Sequence, residues 1–394
     1  MNSAIKKLYH MPLQSSRRIL GLMSGTSLDG LDIALCKISG SGLQTQLEVQ
    51  HFVSLPYSVQ FKTEIRSVFS QEQVSLQKLT ILNEWIPHVH GDMIMKTLLS
   101  WGLAADEIDC IASHGQTVYH TPRRLHGLEG YPDATLQIGD GDHLAVKTGI
   151  ITISDFRQKH VAAGGEGAPL ALYGDLILFS SANENRVLLN IGGISNFTYL
   201  PADQDPQGVL CSDTGPGNTL SDKLCQTYFG RHYDEEGAIA RSGRINQNLL
   251  QALRSHPFFQ EDIPKTTGPE LFNLSFLEAA KLEASISNIA PEDLLATVSE
   301  LTAWSVANAV ERSLGDRSYS VYVSGGGCHN TFLMEKLRKY FSGRRVRQTE
   351  ELGFNADAKE AALFALLANE TICGSAIRSG AGPAVTMGKI SLPF

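Results

Sequence analysis

The sequence predicts an α/β protein made of two related domains with a ligand cleft between them. One observation is that short strand-like apolar runs alternate with longer segments whose apolar residues have helical spacing. A second is a near-repeat: RRILGLMSGTSLDGLDIAL and RVLLNIGGISNFTYL both have the pattern of strand, glycine turn and strand. A third is that no low-complexity linker separates the two copies. We therefore predict domains over residues 1–184 and 185–355.

Local patterns predict each element of the first half. After the opening hairpin, LEVQHFVSLPY is typical of a strand that ends at Pro56. Helical spacing between Gln60 and Leu103 predicts two helices. There follow a buried strand running into a polar loop, a short helix, a third strand and a helix with Pro169 near its first turn. Their sequences are IDCIASHGQTVYH, HLAVKTGI, ITISDFR and GAPLALYGDLILF.

The second half repeats the alternation of strand and helix. RVLLNIGGISNFTYL predicts a hairpin, and SYSVYVSGGGCHNTFLMEKL predicts a strand, a triple-glycine turn and a helix. SELTAWSVANAVERSL has a helical pattern. DAKEAALFALLANE, near the C-terminus, predicts a helix with a strong apolar face. This order of elements favours α/β layers over a sandwich or a helix bundle.

Composition argues against several classes of protein. The 394 residues are 42% hydrophobic and 19% charged, so the chain can bury sizeable cores and is not disordered. Its net charge of -8 and its one tight basic run, RRVR, offer no basic face for nucleic acid. No window approaches the roughly 18–20 apolar residues that a membrane helix needs. We expect neither nucleic-acid nor membrane partners.

The cysteines and the N-terminus indicate the compartment. Six cysteines without CxxC spacing favour free thiols in a reducing cytosol. No apolar signal segment precedes Gly21. We therefore expect a cytoplasmic protein whose first dozen residues form a loose extension.

The glycine turns are the strongest functional signal in the sequence. A turn rich in Gly, Ser and Thr can direct backbone N–H groups into one concavity, and glycine lets a phosphate approach the backbone closely. Asp29 and Asp32 repel phosphate but can hold a divalent cation that bridges to it. One such hairpin is a weak signal, whereas two hairpins and a third glycine turn could close on one ATP. No Walker A motif occurs in the chain.

We assign nucleotide binding to these three turns. The triple glycine leaves room for a flat adenine ring, and Asn330 can cap the helix that follows. The assigned residues are Gly25, Thr26, Ser27, Leu28, Asp29, Gly30, Leu31, Asp32, Gly192, Gly193, Asn196, Gly325, Gly326, Gly327 and Asn330, with Asp29 and Asp32 as metal ligands.

The motifs resemble those of the sugar kinase, heat-shock 70 kDa protein and actin superfamily. Within it, the chain is most similar to the anhydro-N-acetylmuramic acid kinase family. SGTSLDG and DTGPGN are the most specific motifs, and the resemblance runs from about Ile19 to about Ala368. The segments that carry it, in order, are GLMSGTSLDGLDIAL, SHGQT, LQIGDG, DFR with AAGGEGAPL, LNIGGISN, DTGPGN, SELTA and SGGGCHN.

The resemblance implies a two-domain sugar kinase or actin-like fold, also described as ribonuclease H-like, with an interdomain cleft. It also implies that segment 356–394 supplies a helix that returns to the first domain. The implied enzyme belongs to cell-wall recycling. It hydrolyses the 1,6-anhydro bond of anhydro-N-acetylmuramic acid and phosphorylates O6 with one ATP. We accordingly expect ATP and Mg²⁺ as cofactors, this sugar as substrate and a homodimer.

Two carboxylates are predicted to be catalytic. Asp155 follows the apolar strand ITIS, and the carboxyl ends of strands are where α/β proteins tend to bind ligands. It is our candidate for the base that activates water, and the family pattern also has a catalytic aspartate here. The structural alternatives are a helix N-cap or an ion pair with Arg157. The resemblance places Glu300, in SELTA, near the anomeric carbon, whereas a helix-surface glutamate is commonly just solvated.

Further polar residues are predicted to bind the sugar. Gln116 and Thr117 suit hydrogen bonds to an amide or a lactyl carboxylate. Asp213, in a turn enforced by the glycines of DTGPGN, and Asn218 are assigned to substrate hydroxyls or metal. Arg123 is assigned to the substrate carboxylate.

The segment VYHTPRR departs from the family pattern, in which a shorter basic stretch follows SHGQT. Arg124 therefore stays open beside Arg123 as the carboxylate ligand. The stretch ALYGD replaces a Val-Pro-rich stretch. His114 could be a general acid, although a histidine beside a strand is more often a structural hydrogen-bond partner.

Two other functions stay open at this stage. One is an ordinary hexose or amino-sugar kinase of the same superfamily, with Asp155 deprotonating a hydroxyl group. Phosphorylation of a sugar without the 1,6-bridge would identify it. The other is a non-catalytic actin-like ATP-binding protein, which would not show ATP turnover dependent on a small sugar.

Overall fold

Two separate sheets organise the computed structural model, which describes residues 1–355, 357–376, 378 and 382–394. The chain divides into two compact units. The first comprises Met1–Leu178 and Asp357–Phe394, and the second comprises Phe179–Ala356. The mixed α/β architecture predicted from the sequence is confirmed.

Strands and helices alternate along the first unit up to its boundary. The first pair of long strands and the two helices after the third strand lie where the sequence predicts them. The elements are α1 (Ser3–His10), β1 (Arg17–Ser24), β2 (Gly30–Ser39), β3 (Gln46–Pro56), α2 (Val59–Arg66), α3 (Leu76–Ser100), β4 (Cys110–Thr121), α4 (Arg123–His126), β5 (Ala134–Ile138), α5 (Gly141–Thr148), β6 (Thr152–Ser154), α6 (Phe156–Ala162) and α7 (Ala171–Phe179).

The second unit begins with a new hairpin, after which the chain returns to the first unit. The second unit holds β7 (Arg186–Ile191), β8 (Ile194–Leu200), β9 (Leu210–Pro216), α8 (Thr219–Phe229), α9 (Ala238–Ser242), α10 (Gln247–Arg254), α11 (Leu274–Glu283), α12 (Pro291–Leu314), β10 (Ser320–Ser324), α13 (Thr331–Tyr340) and β11 (Val346–Gln348). The returning segment holds α14 (Lys359–Cys373) and β12 (Lys389–Ser391).

Among the described residues, the first sheet has the order β12-β6-β4-β1-β2-β3, with β5 on β4. Strands β1, β4 and β6 run parallel, and both ends of the order are antiparallel. Both faces of β1 are covered. Leu20 and Leu22 belong to a core cluster with residues of α2 and α3. A Cβ at Gly21 would overlap the carbonyl oxygen of Ala361 in α14. Burial on both faces explains the nearly continuous apolar run in the sequence.

The second sheet has the order β11-β10-β7-β8-β9. Strands β7, β10 and β11 are parallel, and β8 and β9 follow as an antiparallel meander. Its core consists of strand residues packed against α12 and α13, including Val187, Phe197, Val310 and Leu337. The sheets share a hairpin joined to parallel strands, which is the repeat visible in the sequence.

Three local predictions are wrong. The N-terminal residues are not a loose extension, because they form α1, Met11 is fully buried and Lys7 Nζ donates to the carbonyl oxygen of Ile108 (2.7 Å). SHGQT continues β4 and does not form a loop. Asp213 lies within β9, where its N–H pairs with the carbonyl oxygen of Lys265 (3.0 Å), and the turn comes only after Pro216.

No helix of the described chain is long and apolar enough to cross a membrane.

Candidate active site

The first glycine turn connects β1 to β2 in the first unit. Ser24 and Leu31 are the last paired residues of this antiparallel hairpin, and Thr26 and Ser27 between them are exposed. Leu28 has a positive φ of 60° and is buried, which turns the chain back toward the core. Because the side chains of Leu28 and Leu31 are buried, only their backbone could reach a nucleotide.

The second glycine turn connects β7 to β8 in the second unit and is held by backbone hydrogen bonds. The N–H of Gly217 donates to the carbonyl oxygen of Gly193 (2.9 Å), and that of Asn218 donates to the carbonyl oxygen of Gly192 (2.8 Å). Asn218 Nδ2 also donates to the carbonyl oxygen of Ile191 (3.3 Å). DTGPGN therefore forms the support of the second turn.

The triple-glycine turn adjoins the same place. Asn218 Nδ2 lies 3.5 Å from where a Cβ of Gly326 would stand, so Asn218 links the second and third turns. Asn330 accepts from the N–H of Leu333 (2.9 Å) and caps α13, as the sequence predicts. Asn196 lies on β8 opposite Asp213, one strand away from this junction.

The glycines of these turns fall into two groups. A Cβ at Gly25, Gly192 or Gly326 would meet no atom closer than 3.5 Å. Their lack of a side chain is therefore not needed for packing and leaves open space at the backbone, which is what an approaching phosphate requires. At Gly30, Gly193, Gly325 and Gly327 a Cβ would press against a neighbouring strand or side chain, so these glycines are needed by the fold.

Asp155 lies at the carboxyl end of β6 in the first unit. Its backbone is left-handed (φ 54°, ψ 51°), a conformation that costs a non-glycine residue about 1 kcal/mol or more. Although it occupies the N-cap position of α6, its side chain makes no cap hydrogen bond. Its carboxylate pairs with Lys389 of β12 and not with Arg157. Neither structural alternative predicted for Asp155 is therefore realised.

His114 and Arg157 form a buried pair beside this strand end. Arg157 Nη2 lies 3.2 Å from His114 Nε2, and its Nη1 donates to the carbonyl oxygen of Gly167 (2.7 Å). Burial, followed by the charge of Arg157, lowers the pKa of His114 to about 3. Because His114 Nε2 faces the Arg157 guanidinium, the geometry favours a structural hydrogen-bond role, and a general-acid role of His114 stays a prediction.

Gln116 and Thr117 lie on β4, next to the first glycine turn. Gln116 is fully buried, and its Nε2 donates to the carbonyl oxygen of Gly25 (3.4 Å). Thr117 Oγ1 accepts from Gln137 Nε2 (3.2 Å). Gln116 therefore acts on the turn from beneath and presents no surface to a sugar, whereas the half-buried Thr117 stays a predicted substrate ligand.

The two candidate arginines lie on an exposed excursion around α4. Arg123 Nε donates to the carbonyl oxygen of Tyr131 (2.8 Å), and Arg124 forms an exposed ion pair with Glu166 (3.2 Å). Both guanidinium groups thus bond to neighbouring loops of the first unit. Which of them binds a substrate carboxylate stays a prediction.

Glu300 has partners for both carboxylate oxygens. Oε1 accepts from the hydroxyl of Tyr340 (2.6 Å), and Oε2 pairs with Lys336 Nζ (3.1 Å). Both partners belong to α13, and only 13% of the Glu300 side chain is exposed. This environment favours a contribution to helix packing, and a catalytic role of Glu300 stays a prediction. Asp213 Oδ2 similarly accepts from the N–H of Thr267 (2.8 Å).

Acidic side chains gather at the base of the first hairpin. Burial, followed by the charges of Asp357 and Asp29, raises the pKa of Asp32, although a hydrogen bond with Ser54 opposes the rise. Burial and the charge of Asp32 also raise the pKa of Glu360. The ionised form of Asp32 is therefore destabilised, and a cation at this place would relieve it.

An open pocket of about 600 Å³ lies beside α8 in the second unit. It adjoins the second glycine turn through Thr219, whose Oγ1 donates to the carbonyl oxygen of Gly193 (2.8 Å). Burial raises the pKa of Asp222 in its wall to about 6. The lining residues are Thr219, Asp222, Lys223, Gln226, His232, Asn273, Leu274 and Ser275.

Comparison with known proteins identifies the family. The family model described as anhydro-N-acetylmuramic acid kinase matches residues 17–391. The chain belongs to the anhydro-N-acetylmuramic acid kinase family. A protein of that name from Pseudoalteromonas atlantica is 50% identical over 100% of both chains. Another, from Caldanaerobacter subterraneus, is 39% identical over 96% of this chain and 98% of its own.

A solved structure also overlaps with the chain. It is titled activator of the 2-hydroxyisocaproyl-CoA dehydratase from Clostridium difficile with bound ADPNP, and is 12% identical, covering 90% of this chain and 96% of its own. Its TM-score is 0.42.

The residues of this anhydro-N-acetylmuramic acid kinase family member fit ATP and a hydrated Mg²⁺. The open backbone at Gly25 in the first unit and at Gly192 in the second unit each fits a phosphate group, and the open space at Gly326 fits an adenine ring. The negative charges of Asp29 and Asp357 near Asp32 would be partly neutralised by a bound cation. Among the described residues, no group of three or more His, Cys, Asp or Glu side chains is arranged to hold a metal. Mg²⁺ characteristically keeps several waters and binds through one or two carboxylates and phosphates, which agrees with such a sparse donor set.

Sequence reasoning missed several partners in this kinase family member. Lys389 meets Asp155 across the antiparallel pairing of β12 with β6, and nothing in the sequence indicates that pairing. Lys336 and Tyr340 could have been anticipated as neighbours of one another, because they lie four residues apart on one helix. Their contact with Glu300 depends on tertiary packing.

Proposed function

We propose that the chain is an ATP-dependent kinase acting on 1,6-anhydro-N-acetylmuramic acid. Water opens the 1,6-anhydro bond, O6 takes the γ-phosphoryl group of ATP, and the products are N-acetylmuramic acid 6-phosphate and ADP. Family membership supports the reaction class. The observation that carries the proposal for this chain is Asp155, a strained residue at a strand end whose carboxylate does not cap its helix.

In the proposed reaction Asp155 accepts a proton from the attacking water. The water oxygen forms a bond to C1 as the C1–O6 bond breaks, so the electron pair of that bond goes to O6. O6 then attacks the γ-phosphorus, and ADP leaves. Asp155 is about a quarter exposed, which suits a base that must meet water. A positioned base of this kind contributes roughly 10²–10⁴ in rate.

The glycine turns are proposed to hold the phosphates. Backbone N–H groups at Thr26 and near Gly192 would donate to phosphate oxygens, as in other nests of successive amides. Asp29 and Asp32 would hold Mg²⁺, which when bound neutralises phosphate charge. The triple-glycine turn would lie beside the adenosine, where Gly326 has open space.

The remaining proposals concern the sugar and the cell. Thr117, Asn218 and one of Arg123 and Arg124 are proposed as sugar ligands. Glu300 is proposed as a second carboxylate that orients the water or the sugar ring near the anomeric carbon and does not itself exchange a proton. Because ATP and a cell-wall fragment are the substrates, we propose a cytoplasmic enzyme of cell-wall recycling. A homodimer is proposed as its assembly.

The test is a product analysis in ¹⁸O-labelled water. The full chain is incubated with MgATP and 1,6-anhydro-N-acetylmuramic acid, and the products are weighed by mass spectrometry. We expect a sugar phosphate with one ¹⁸O at C1 and no label in phosphate. The incubation is kept short and the unlabelled product is treated in parallel, because an open anomeric carbon slowly exchanges oxygen with water.

Two outcomes would contradict the proposal. Label in free phosphate without sugar phosphate would indicate an ATPase. Equal or faster phosphorylation of N-acetylmuramic acid, which lacks the bridge, would indicate an ordinary amino-sugar kinase.

A further inference from the structure

Four buried polar side chains form a continuous hydrogen-bond network beneath the first glycine turn. Tyr57 OH lies 2.9 Å from His90 Nε2 and 2.8 Å from Ser24 Oγ. Ser24 Oγ lies 2.5 Å from Gln116 Oε1, and Gln116 Nε2 lies 3.4 Å from the carbonyl oxygen of Gly25. These residues come from α3, the segment after β3, β1 and β4. This hydrogen-bond network thus joins the core of the first unit to the turn.

The available hydrogen atoms allow only one order of donors and acceptors along this hydrogen-bond network. Gln116 Nε2 faces the carbonyl oxygens of Gly25 and Thr117, so it must be the amide nitrogen and its Oε1 must accept from Ser24. Ser24 then has no proton left, and Tyr57 donates to it. The Tyr57 oxygen can then only accept from His90 Nε2–H. Burial lowers the pKa of His90 to about 3, which keeps the ring neutral and this arrangement intact.

The last donor of this hydrogen-bond network, Gln116 Nε2, holds the Gly25 carbonyl oxygen and thereby determines where the Thr26 N–H points. The carbonyl oxygen of Gly25 accepts from Gln116 beneath it and from the N–H of Leu28 (3.3 Å). Across a trans peptide the next N–H points opposite to the carbonyl. The Thr26 N–H is therefore turned away from the buried chain, on the side where Thr26 is exposed and where Gly25 leaves open space.

We infer that Gln116, Ser24, Tyr57 and His90 are positioning residues that aim the Gly25–Thr26 peptide at a phosphate of ATP. This inference rests on the proposed function of the first hairpin. It replaces the predicted contact of Gln116 with the sugar by an action on the nucleotide through the backbone. Tyr57 and His90 act without touching either ligand.

The first test variant is Gln116→Glu in the full chain. The new carboxyl group can still accept from Ser24, but it lacks the two N–H donors that face the carbonyl oxygens of Gly25 and Thr117: ionised it repels both oxygens, and protonated it has one O–H for the two. Calorimetric titration should show ATP affinity roughly tenfold weaker, because the turn loses the bond that orients it. KM for the sugar should stay within about twofold. A raised sugar KM with unchanged ATP affinity would restore the direct substrate role and overturn the inference.

The second variant acts from a distance. Tyr57→Phe removes the donor to Ser24 and should weaken ATP binding roughly fivefold. Tyr173→Phe is the matched control. This buried tyrosine in the same unit loses a hydrogen bond to the carbonyl oxygen of Pro383 (3.1 Å) but is not part of the hydrogen-bond network beneath the first turn. Its ATP affinity should equal that of the wild type.

The double variant Tyr57→Phe/His90→Phe separates positioning from stability. Tyr57→Phe alone leaves the His90 N–H buried and unpaired, whereas the double variant removes both polar partners. We expect its melting temperature to recover toward the wild-type value while its ATP affinity stays weak, because Ser24 still lacks its donor. Joint recovery of both properties would overturn the inference.

The wild-type titration keeps the two proposals distinguishable. Wild type without measurable ATP affinity would contradict the proposed function itself. Wild type that binds ATP, with Gln116→Glu and Tyr57→Phe binding it equally well, would contradict only the positioning role.

Discussion

The two glycine hairpins look alike in sequence but are supported by different chemistry. In the first, a buried chain of side chains from Gln116 to His90 lies under the turn. In the second, the carbonyl oxygens of Gly192 and Gly193 are held by backbone N–H groups of DTGPGN, and the side chains of Asn218 and Thr219 bond to the same turn. These supports lie next to the turn, whereas the first turn depends on side chains from α3 and β4. We therefore expect distant substitutions to alter the first turn more than the second.

The two predicted catalytic carboxylates extend the comparison. Asp155, in the first unit, has a strained backbone and one charged partner, Lys389, whose side chain is 63% exposed. Glu300, in the second unit, has both oxygens bonded to α13. A carboxylate that must exchange protons needs an accessible oxygen, and one that fixes a helix does not. The first unit should therefore carry the chemistry of water activation.

Asp155→Asn should have the largest effect. Asparagine keeps the shape but cannot take a proton, so turnover should slow roughly 10²-fold or more while the binding of sugar and ATP changes little. Steady-state kinetics with the anhydro sugar and calorimetry with ATP measure the two parts. Lys389→Met is the matched variant, because it removes the ion pair and leaves the carboxylate. Near-normal turnover in Asp155→Asn would remove the contrast with Glu300.

Acid should loosen the first hairpin's support through His90. Its folded pKa is about 3 and its unfolded value about 6.5, so the unfolded state binds more protons between these values. The stabilisation is therefore complete above pH 6.5 and is lost as pH falls toward 3. At pH 5 the loss is about 2 kcal/mol.

Urea unfolding at pH 7 and pH 5 checks this value by comparing wild type with His90→Phe. The variant should lose less stability over the interval. His114 and His160, which are also buried histidines with a lowered pKa, are present in both proteins, so their contributions cancel. Equal losses in the two proteins would show that His90 does not supply the pH dependence.

A valine at either open glycine should weaken nucleotide binding. Gly25→Val and Gly192→Val place methyl groups in the open space at each turn, and ATP affinity should fall at least tenfold in calorimetric titration. Both variants should stay folded, because a Cβ there meets nothing closer than 3.7 Å.

Gly217→Ala provides the contrast within the second hairpin, because its Cβ would overlap the carbonyl oxygen of Gly192 and should lower stability as well. Unchanged ATP affinity in Gly25→Val would remove the first hairpin from the nucleotide site. Unchanged affinity only in Gly192→Val would restrict phosphate binding to the first unit.

The sequence predicts the hairpins because both depend on local information. Alternating apolar residues and glycine turns determine β1, β2, β7 and β8 within short windows. The position of Asp155 at a strand end can likewise be predicted from the sequence, because Asp155 directly follows the apolar residues of its strand. The prediction of a loop at SHGQT is wrong because its small polar residues are typical of turns, whereas β5 pairs with this part of β4 and keeps it extended.

The supports of the site could not be predicted in the same way. The chain from His90 to Gln116 joins four separate parts of the fold, and Lys389 reaches Asp155 across 234 positions of sequence. Single polar residues such as Tyr57 carry no local sign of a distant partner. Their roles depend on tertiary packing, which periodicity and spacing do not encode.

Glu300→Gln should have the smallest effect and gives the sharpest comparison with Asp155. The amide oxygen can still accept from Tyr340, and only the ion pair with Lys336 is lost. Because both oxygens are already committed to α13, turnover should slow less than about tenfold and stability should fall by about 1 kcal/mol. Glu335→Gln is the matched control, since it breaks an exposed ion pair of the same helix with Arg241. If Glu300→Gln instead slowed turnover roughly 10²-fold or more while Glu335→Gln had no effect, Glu300 would be a second reacting carboxylate. Water activation would then depend on both units, and Tyr340 and Lys336 would be the groups that orient its second carboxylate.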